Sequence, residues 1–389
     1  MKILLLGMGM QGKAALHDLI NSVDVAEIIV ADRVIDHQLL QAYRTGKVSS
    51  VTLDVTDLDA VTEQLNKVDA VIYLLPKEYR MPVVRRAIEL GVHYVDASYS
   101  DPKMAELSAL AVEKNVAVLP ESGFDPGIDL VLAKRALDRF EEVYRLDSYG
   151  AGIPDATAVD NPLKYKISWT FSGVLSAYKR PAFVVRNGVT VTIPPEKLFD
   201  EENVFPKEVE RVGVLEAYPN GNAAVFLEKA GKQGAIRESG RYTMRWPGNA
   251  AIWKTLKALG FLDEKPVTSG GNQVTPFRFT HDLLAPQLQY AHDELDLAIV
   301  RVETTGRREG ATRRYVQQVV DQRDLDTGLL AMQRTVGFTT SIVVQMILRG
   351  DIPGSGLLTP IKDIPTDPFI RELRKRRILV DSWEESVKD

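Results

Sequence analysis

Side chains able to do chemistry fall in short clusters along this chain. Lys77 and Tyr79 follow one apolar run, Ser98 and Tyr99 follow a second, and Glu121, Asp125 and Asp129 follow a third. A phenol and a carboxylate are suited to moving a proton or holding an ammonium group, which makes Tyr99 and Asp125 the candidate catalytic pair. The plain alternative stands beside it: Asp125-Pro126-Gly127 is also an ordinary turn, and Asp129 also suits a helix start. Further on, Arg241, Thr243 and Arg245 stand at every second position, so in a strand all three share one side. Two guanidinium forks and a hydroxyl on one face match a carboxylate ligand. A solvated strand face with surface ion pairs explains the same pattern. Lys164, Lys166, Ser168 and Trp169 lie together in Asn161-Pro-Leu-Lys-Tyr-Lys-Ile-Ser-Trp-Thr.

Other chemistries find no support. The five histidines show no metal-binding spacing, so no metal site is expected. The chain has no cysteine, which excludes disulfides, thiolate metal sites and a cysteine nucleophile. A net charge of −5 argues against nucleic acid or an anionic membrane as partner. With 45% hydrophobic and 26% charged residues over 389 positions, the composition is that of a globular protein of two or three domains. Met1 runs straight into the first strand and no apolar run reaches membrane-spanning length, so a cytoplasmic enzyme is expected.

The elements that must position these residues begin at Met1. The apolar run Ile3–Leu6 leads into Gly7-x-Gly9-x-x-Gly12, and a helical pattern follows. This strand–turn–helix order is that of a dinucleotide-binding unit. Gly7 makes the turn, Gly9 admits a pyrophosphate and Gly12 lets helix and strand pack closely. Met10 and Gln11 open the helix whose N–H groups would hold the phosphates. Ile28–Ala31 forms a second strand ending in Asp32, whose carboxylate suits an adenosine ribose. Asp32 therefore favours NAD, while Arg33 beside it could accommodate the 2′-phosphate of NADP. Further strands end at Asp54, Pro76, Ala97 and Leu119. Six β–α units within about 125 residues make a Rossmann domain, a doubly wound parallel sheet. Ligands bind at the carboxyl edge of such a sheet, which places the loop Leu75-Pro76-Lys77-Glu78-Tyr79 over the cofactor and the Ser98 and Asp125 loops nearby. Hydride transfer to a nicotinamide fits this layout.

Past Phe124 the texture changes to strands without alternating helices. Val184–Val191 is a hairpin on Asn187-Gly188, and Leu297–Val302 with Tyr315–Val320 form a second. This indicates an inserted α+β domain with a mainly antiparallel sheet. The expected boundaries are 1–123 for the Rossmann domain, 124–334 for the α+β domain, and 335–389 for a C-terminal helical segment.

The loops together resemble the saccharopine dehydrogenase family, in particular its glutamate-forming members. The resemblance rests on Gly7-x-Gly9-x-x-Gly12, Ala97-Ser-Tyr-Ser-Asp-Pro102, Gly123-Phe-Asp-Pro-Gly-Ile-Asp129, Asp160–Trp169, Glu216-Ala-Tyr-Pro-Asn220, Arg241–Trp246 and Met332–Phe338. It implies NAD(P)-dependent oxidation of a secondary amine in an amino acid or opine, followed by imine hydrolysis, in a homodimer, with 124–334 as the inserted substrate-binding and dimerisation domain and 335–389 returning to the Rossmann domain. By matching motifs, Tyr99 and Asp125 would be catalytic and Ser98, Ser168, Trp169, Arg241 and Thr243 would bind substrate. Gly7, Gly9, Met10, Gln11, Gly12, Asp32, Arg33, Leu74, Leu75 and Pro76 would bind cofactor. The chain departs from the family at Gly221, where an arginine follows Tyr-Pro-Asn, and at Gly150, where a cysteine stands. The acid Asp32 is shared instead with NAD-linked lysine 6-dehydrogenases. L-lysine 6-dehydrogenase or a related amine dehydrogenase is therefore the alternative activity, and a non-catalytic nucleotide sensor the third reading.

Overall fold

A computed structural model describes residues 1–387. The chain separates into two compact units: Met1–Arg135 with Gln333–Val380, and Ala136–Met332 with the chain end from Asp381.

The first unit is built on a seven-stranded sheet. Its order is Gly356–Leu357, Ala117–Leu119, His93–Asp96, Ala70–Tyr73, Lys2–Leu6, Glu27–Asp32, Val48–Thr52. Every neighbouring pair is parallel. Central strands covered on both faces must be apolar throughout, and Ile3, Leu4, Leu5 and Leu6 are all fully buried. Short acids start the connecting helices. Asp36, Asp57 and Asp101 accept N–H bonds from Leu39, Ala60 and Lys103, the last with Pro102 at the first helical position. The seventh strand, Gly356–Leu357, was not expected; two residues are too few to show alternation. It joins the sheet through Gly356 N–H to Val116 O (2.8 Å).

The C-terminal helices complete this unit. Ala331–Leu348 runs so close to the dinucleotide helix Met10–Asn21 that Gly337 has no room for a Cβ. An added one would lie 2.5 Å from Gln11 O and 2.7 Å from both Ala14 Cβ and Ala15 N. Lower down, Asp18 on the dinucleotide helix accepts Ser341 Oγ (2.6 Å) and a two-nitrogen fork from Arg376 (2.6 and 2.9 Å).

The second unit carries a mixed sheet. Its order is Phe205–Val209, Gly213–Pro219, Glu238–Arg245, Glu142–Pro154, Asp296–Arg308, Ala311–Gln322, Val380–Ser386, with the hairpin Ala182–Arg186/Val189–Ile193 attached to Glu238–Arg245. The pairings are antiparallel except Glu238–Arg245 with Glu142–Pro154, among those whose register is resolved. Both expected hairpins form. The first turns on Asn187 (φ 51°) and Gly188 (φ 79°), the pair of positive φ values that matches strand twist. One face holds an apolar core of Tyr149, Ala151, Ile153, Leu215, Ala217, Met244, Leu297 and Ile299. The other face presents Ser148, Gly150 and Gly152 in register with Arg241, Thr243, Val300 and Ala298. The expected helical tail is present as Thr366–Lys375, but the chain then ends in the strand Val380–Ser386, in the second sheet. Among the described residues no helix is long and apolar enough to cross a membrane.

Candidate active site

The glycine-rich turn has the shape of a phosphate cradle. Gly7 (φ 107°) leaves strand Lys2–Leu6 with its N–H on Ala31 O (2.9 Å), and a Cβ there would sit 2.7 Å from Leu74 O. A Cβ on Gly12 would sit 2.1 Å from Gly7 O, so helix and strand approach as closely as backbone allows. Gly9 is exposed with nothing within 4 Å of where its Cβ would be. It opens the helix Met10–Asn21, which has no side-chain cap and no acid in its first turn. An anion can therefore approach N–H groups that no protein carboxylate occupies. These residues fit a dinucleotide's pyrophosphate.

Asp32 is half-buried and already engaged: Oδ2 accepts Met8 N–H (2.7 Å) and Oδ1 accepts Val34 N–H (3.2 Å). It ties the second strand to the glycine turn. Arg33 is exposed and lies near Asp54, whose carboxyl is held below its usual range by Thr56 and, more weakly, by Arg33. Leu74 and Leu75 are half-buried and Pro76 exposed at the same edge.

The Ser98–Asp101 loop rests on buried charge. Asp96 Oδ1 accepts Ser98 N–H (2.7 Å), Arg80 Nη2 donates to Tyr99 O (2.7 Å), and Glu121 Oε1 accepts Ser100 N–H (3.2 Å). Asp96, Glu121 and Arg80 are 0%, 2% and 3% exposed. Burial pushes the Asp96 carboxyl up to about 6, against the pull of Arg80, the Ser98 N–H and the Tyr94 hydroxyl. Above this base Ser98 is half-buried and Tyr99 nearly half exposed. Arg80 was missed from sequence because it opens the helix Arg80–Glu89 directly after the charged turn Lys77-Glu78-Tyr79, where a cation reads as solvated. Its only signal is a cation on the inward face of a helix that follows a strand. Lys77 and Tyr79 are exposed on a short helical turn.

Asp125 is half-buried in a tight loop with a cis peptide to Pro126. The loop closes through Gly123 N–H to Pro126 O (3.0 Å) and Gly127 N–H to Asp129 Oδ1 (2.8 Å). A Cβ on Gly127 would fall 1.9 Å from Gly123 O. Asp129, fully buried, thus braces the loop that presents Asp125. The parallel register puts the glycine turn, Asp32, Leu74–Pro76, Ser98–Tyr99 and the Asp125 loop at one edge of one sheet.

The second unit sorts its cations. Lys166 is spent on Asp160 (2.7 Å) and Glu294 (2.6 Å), and Lys164 donates to Pro247 O (2.8 Å). Arg241 is buried on the Ser148–Gly152 face, with its guanidinium 5.2 Å from the Phe226 ring. Thr243 is half-buried and its hydroxyl accepts Asn220 Nδ2 (2.8 Å). Ser168 is fully buried with an Oγ that finds no partner, and it lies 3.0 Å from where a Gly152 Cβ would be. Trp169 is half-buried against Gly173, where a Cβ would be 2.9 Å from its ring. Gly221 (φ 84°) gives its carbonyl to Phe183 N–H (2.9 Å).

The model of the saccharopine dehydrogenase C-terminal domain matches residues 123–379. The chain belongs to the saccharopine dehydrogenase family. The same family's NADP binding domain matches residues 3–119. Among relatives, the L-glutamate-forming, NADP(+) saccharopine dehydrogenase of Saccharomyces cerevisiae is 27% identical, covering 96% of this chain and 97% of its own length. An alpha-aminoadipic semialdehyde synthase of Arabidopsis thaliana is 33% identical over 234 residues, 59% of this chain and 22% of that protein. The mouse mitochondrial counterpart is 26% identical, and this chain spans 47% of its length. The solved apo saccharopine dehydrogenase (L-Glu forming) of S. cerevisiae superposes with a TM-score of 0.86 at 25% identity, over 99% of this chain and 100% of that one. With the family comes the class: the chain is an NAD(P)-dependent amino-acid dehydrogenase, an oxidoreductase.

Proposed function

We propose that this family member is a saccharopine dehydrogenase of the L-glutamate-forming kind. The observation that carries the reading is the match, end to end on both sides, to the yeast enzyme of that name. The site geometry supports it: an anion cradle, a phenol and a carboxylate share one sheet edge. A bound nicotinamide would supply the hydride acceptor. On this reading Asp125 takes the proton of the substrate's secondary ammonium, freeing the nitrogen lone pair. Hydride loss from the adjacent carbon then gives a C=N bond. Water adds to the imine carbon, and Tyr99 moves the proton that lets the C–N bond break, leaving glutamate and an aldehyde. Ser98, Ser168, Trp169, Arg241 and Thr243 bind and orient the amino-acid chain.

We also infer NADP(H) as the physiological cofactor. The family model and the yeast relative carry that name, and exposed Arg33 stands beside Asp32, both of whose carboxylate oxygens accept backbone N–H groups. The acid taken alone favours NAD. Homodimer assembly belongs to the same reading.

The test is saccharopine oxidation followed by nicotinamide absorbance, with NADP and NAD compared and lysine as the competing substrate. Turnover of saccharopine, with kcat/KM higher for NADP, is expected. Reduction of cofactor with lysine but not saccharopine would replace the reading, and tighter use of NAD would reverse the cofactor inference.

A further inference from the structure

Three acids follow the strand Ala117–Leu119. Asp125 stands half-buried at the sheet edge, and Asp129 accepts Gly127 N–H. Glu121 does something else. It is 2% exposed, and its backbone is left-handed (φ 63°), a conformation an L residue keeps only where its surroundings enforce it. The neighbouring loop does so. Glu121 N–H donates to Ser98 O (3.0 Å), and Glu121 Oε1 accepts Ser100 N–H (3.2 Å). One residue therefore grips the chain on both sides of Tyr99.

The sheet makes this grip possible. His93–Asp96 and Ala117–Leu119 are parallel neighbours, with Tyr94 opposite Val118 and Val95 opposite Leu119, so the loops that follow them emerge side by side. They also touch. Ser122 N–H donates to Asp96 O (2.8 Å), and a Cβ on Gly123 would lie 3.0 Å from Ala97 Cβ and 3.3 Å from Ala97 O. Glu121 belongs to the loop that carries Asp125 and reaches across to the loop that carries Tyr99. Burying a carboxylate is unfavourable unless its oxygens are used, and here one of them holds a backbone N–H. A group that moves a proton must stay within hydrogen-bond reach of it, and a displacement of about 1 Å lowers a rate by about 100-fold. Tyr99, nearly half exposed, has little packing of its own to prevent such a displacement.

We propose that Glu121 is a positioning residue, which fixes Tyr99 with respect to Asp125 by clamping the backbone of Ser98 and Ser100. This rests on the dehydrogenase reading for the roles of Tyr99 and Asp125, though not for the clamp itself. Glu121 acts through Tyr99 and touches no reacting atom.

The experiment compares saccharopine oxidation and amide hydrogen exchange in two variants of the full-length protein whose side chains differ by one methylene. Glu121→Gln keeps an oxygen acceptor at the same reach. Glu121→Asn keeps the amide and tolerates the left-handed backbone, but its oxygen stops short of Ser100 N–H. In Glu121→Asn kcat should fall by about 10–100-fold with KM within about 3-fold of wild type, since orientation is lost and affinity is not. In Glu121→Gln kcat should stay within about 3-fold of wild type. On a Tyr99→Phe background Glu121→Asn should remove no more than about 3-fold further, because the hydroxyl it positions is gone. Exchange across residues 98–100, followed without substrate, should quicken by about 10-fold in Glu121→Asn and hold in Glu121→Gln. Wild-type kcat in Glu121→Asn, the same loss with and without the Tyr99 hydroxyl, or a Glu121→Gln protein as slow as Glu121→Asn overturns the proposal. Should Glu121→Asn not fold, Glu121→Gly, at ease in the left-handed conformation, takes its place with the same expectations. If wild type reduces no cofactor with saccharopine, the dehydrogenase reading fails and exchange alone decides the clamp: unchanged exchange in Glu121→Asn sinks it, and faster exchange upholds it.

Discussion

Replacing Gly337 by alanine sets two opposed magnitudes against each other. In a helix interior alanine is favoured over glycine by about 1 kcal/mol, so an unconstrained Gly337→Ala would stabilise. Here the new methyl would lie 2.5 Å from Gln11 O and 2.7 Å from Ala14 Cβ and Ala15 N, distances at which something must move. Two of those atoms are backbone, and no rotamer change relieves them. Overpacking of this kind costs roughly 1–3 kcal/mol, and backbone contacts put it at the upper end. The net should be a loss of about 1–2 kcal/mol, which lowers the midpoint by roughly 2–8 °C in a unit of this size. The second consequence is specific to the site. Gln11 and Gly12 form the first turn of the helix that would hold the pyrophosphate, so pushing on Gln11 should also weaken NADPH, by about 10-fold, or 1.4 kcal/mol. Differential scanning fluorimetry with and without NADPH and a fluorescence titration read both effects. Gly46→Ala is the control, since nothing lies within 4 Å of its Cβ position. A Gly337→Ala protein as stable as wild type, with unchanged NADPH affinity, would refute the contact argument.

Other consequences can be checked in the same preparations. Arg80→Met removes the donor to Tyr99 O and leaves Asp96 buried without its cation; kcat for saccharopine should fall by about 10–100-fold, with Arg80→Lys intermediate. Burial raises the Asp96 carboxyl to about 6 in the folded state, above its unfolded value. The native state then holds the extra proton, so this group's contribution to stability falls as pH rises from about 4 to about 6, by roughly 3 kcal/mol, and is flat above that. Asp96→Asn should remove that slope from urea-denaturation free energies; a slope identical to wild type would show the group is not the source. Glu303 has the opposite sign: burial raises its carboxyl, but Lys207 and Arg301 outweigh that and bring it to about 2. Its contribution is complete above about 4.5 and disappears as pH falls toward 2. Glu303→Gln at neutral pH strands Lys207 and leaves Arg301 and Arg314 with Glu210 and Glu385 alone, so unfolding free energy should drop by about 3 kcal/mol.

The first unit was largely legible because its signals are local. Gly7 and Gly12 each have a steric reason within the fold that spacing alone announces, Gly9 stands open where a phosphate would approach, and apolar runs such as Ile3–Leu6 name strands buried on both faces. The Asn187-Gly188 turn is equally local. What escaped depends on partners far away in sequence. Lys166 reads as a free cation until Glu294, 128 residues on, is placed beside it. Val380–Ser386 is too polar to announce a strand and exists as one in a sheet whose other strands lie between residues 142 and 322. Asp125 and Asp129 are four residues apart and look interchangeable on paper. Only the loop's closure assigns Asp129 to Gly127 N–H and leaves Asp125 half-buried at the edge.

Two buried arginines show two ways in which a fold meets a buried charge. Arg80 and Arg245 are 3% and 5% exposed, and each leaves its Nε without a partner. Arg80 nevertheless lies 3.4 Å from the buried Asp96 carboxylate and donates to Tyr99 O, so its charge is met within the fold. Deleting it should harm the free protein as well as its activity. Arg245 has aromatic rings and hydroxyls where Arg80 has a carboxylate: its guanidinium lies 5.2 Å from the Tyr165 ring, Nη1 donates to Met244 O, and Tyr178 is a further side-chain hydrogen-bond partner. Removing one partner of a compensated pair destabilises by leaving a charge behind, whereas removing an uncompensated charge relieves the fold. The sign of the stability change in the free protein, read by urea denaturation, therefore separates an arginine held by an ion pair from one held by neutral groups: a loss is expected for Arg80→Met, and a midpoint level or raised for Arg245→Met.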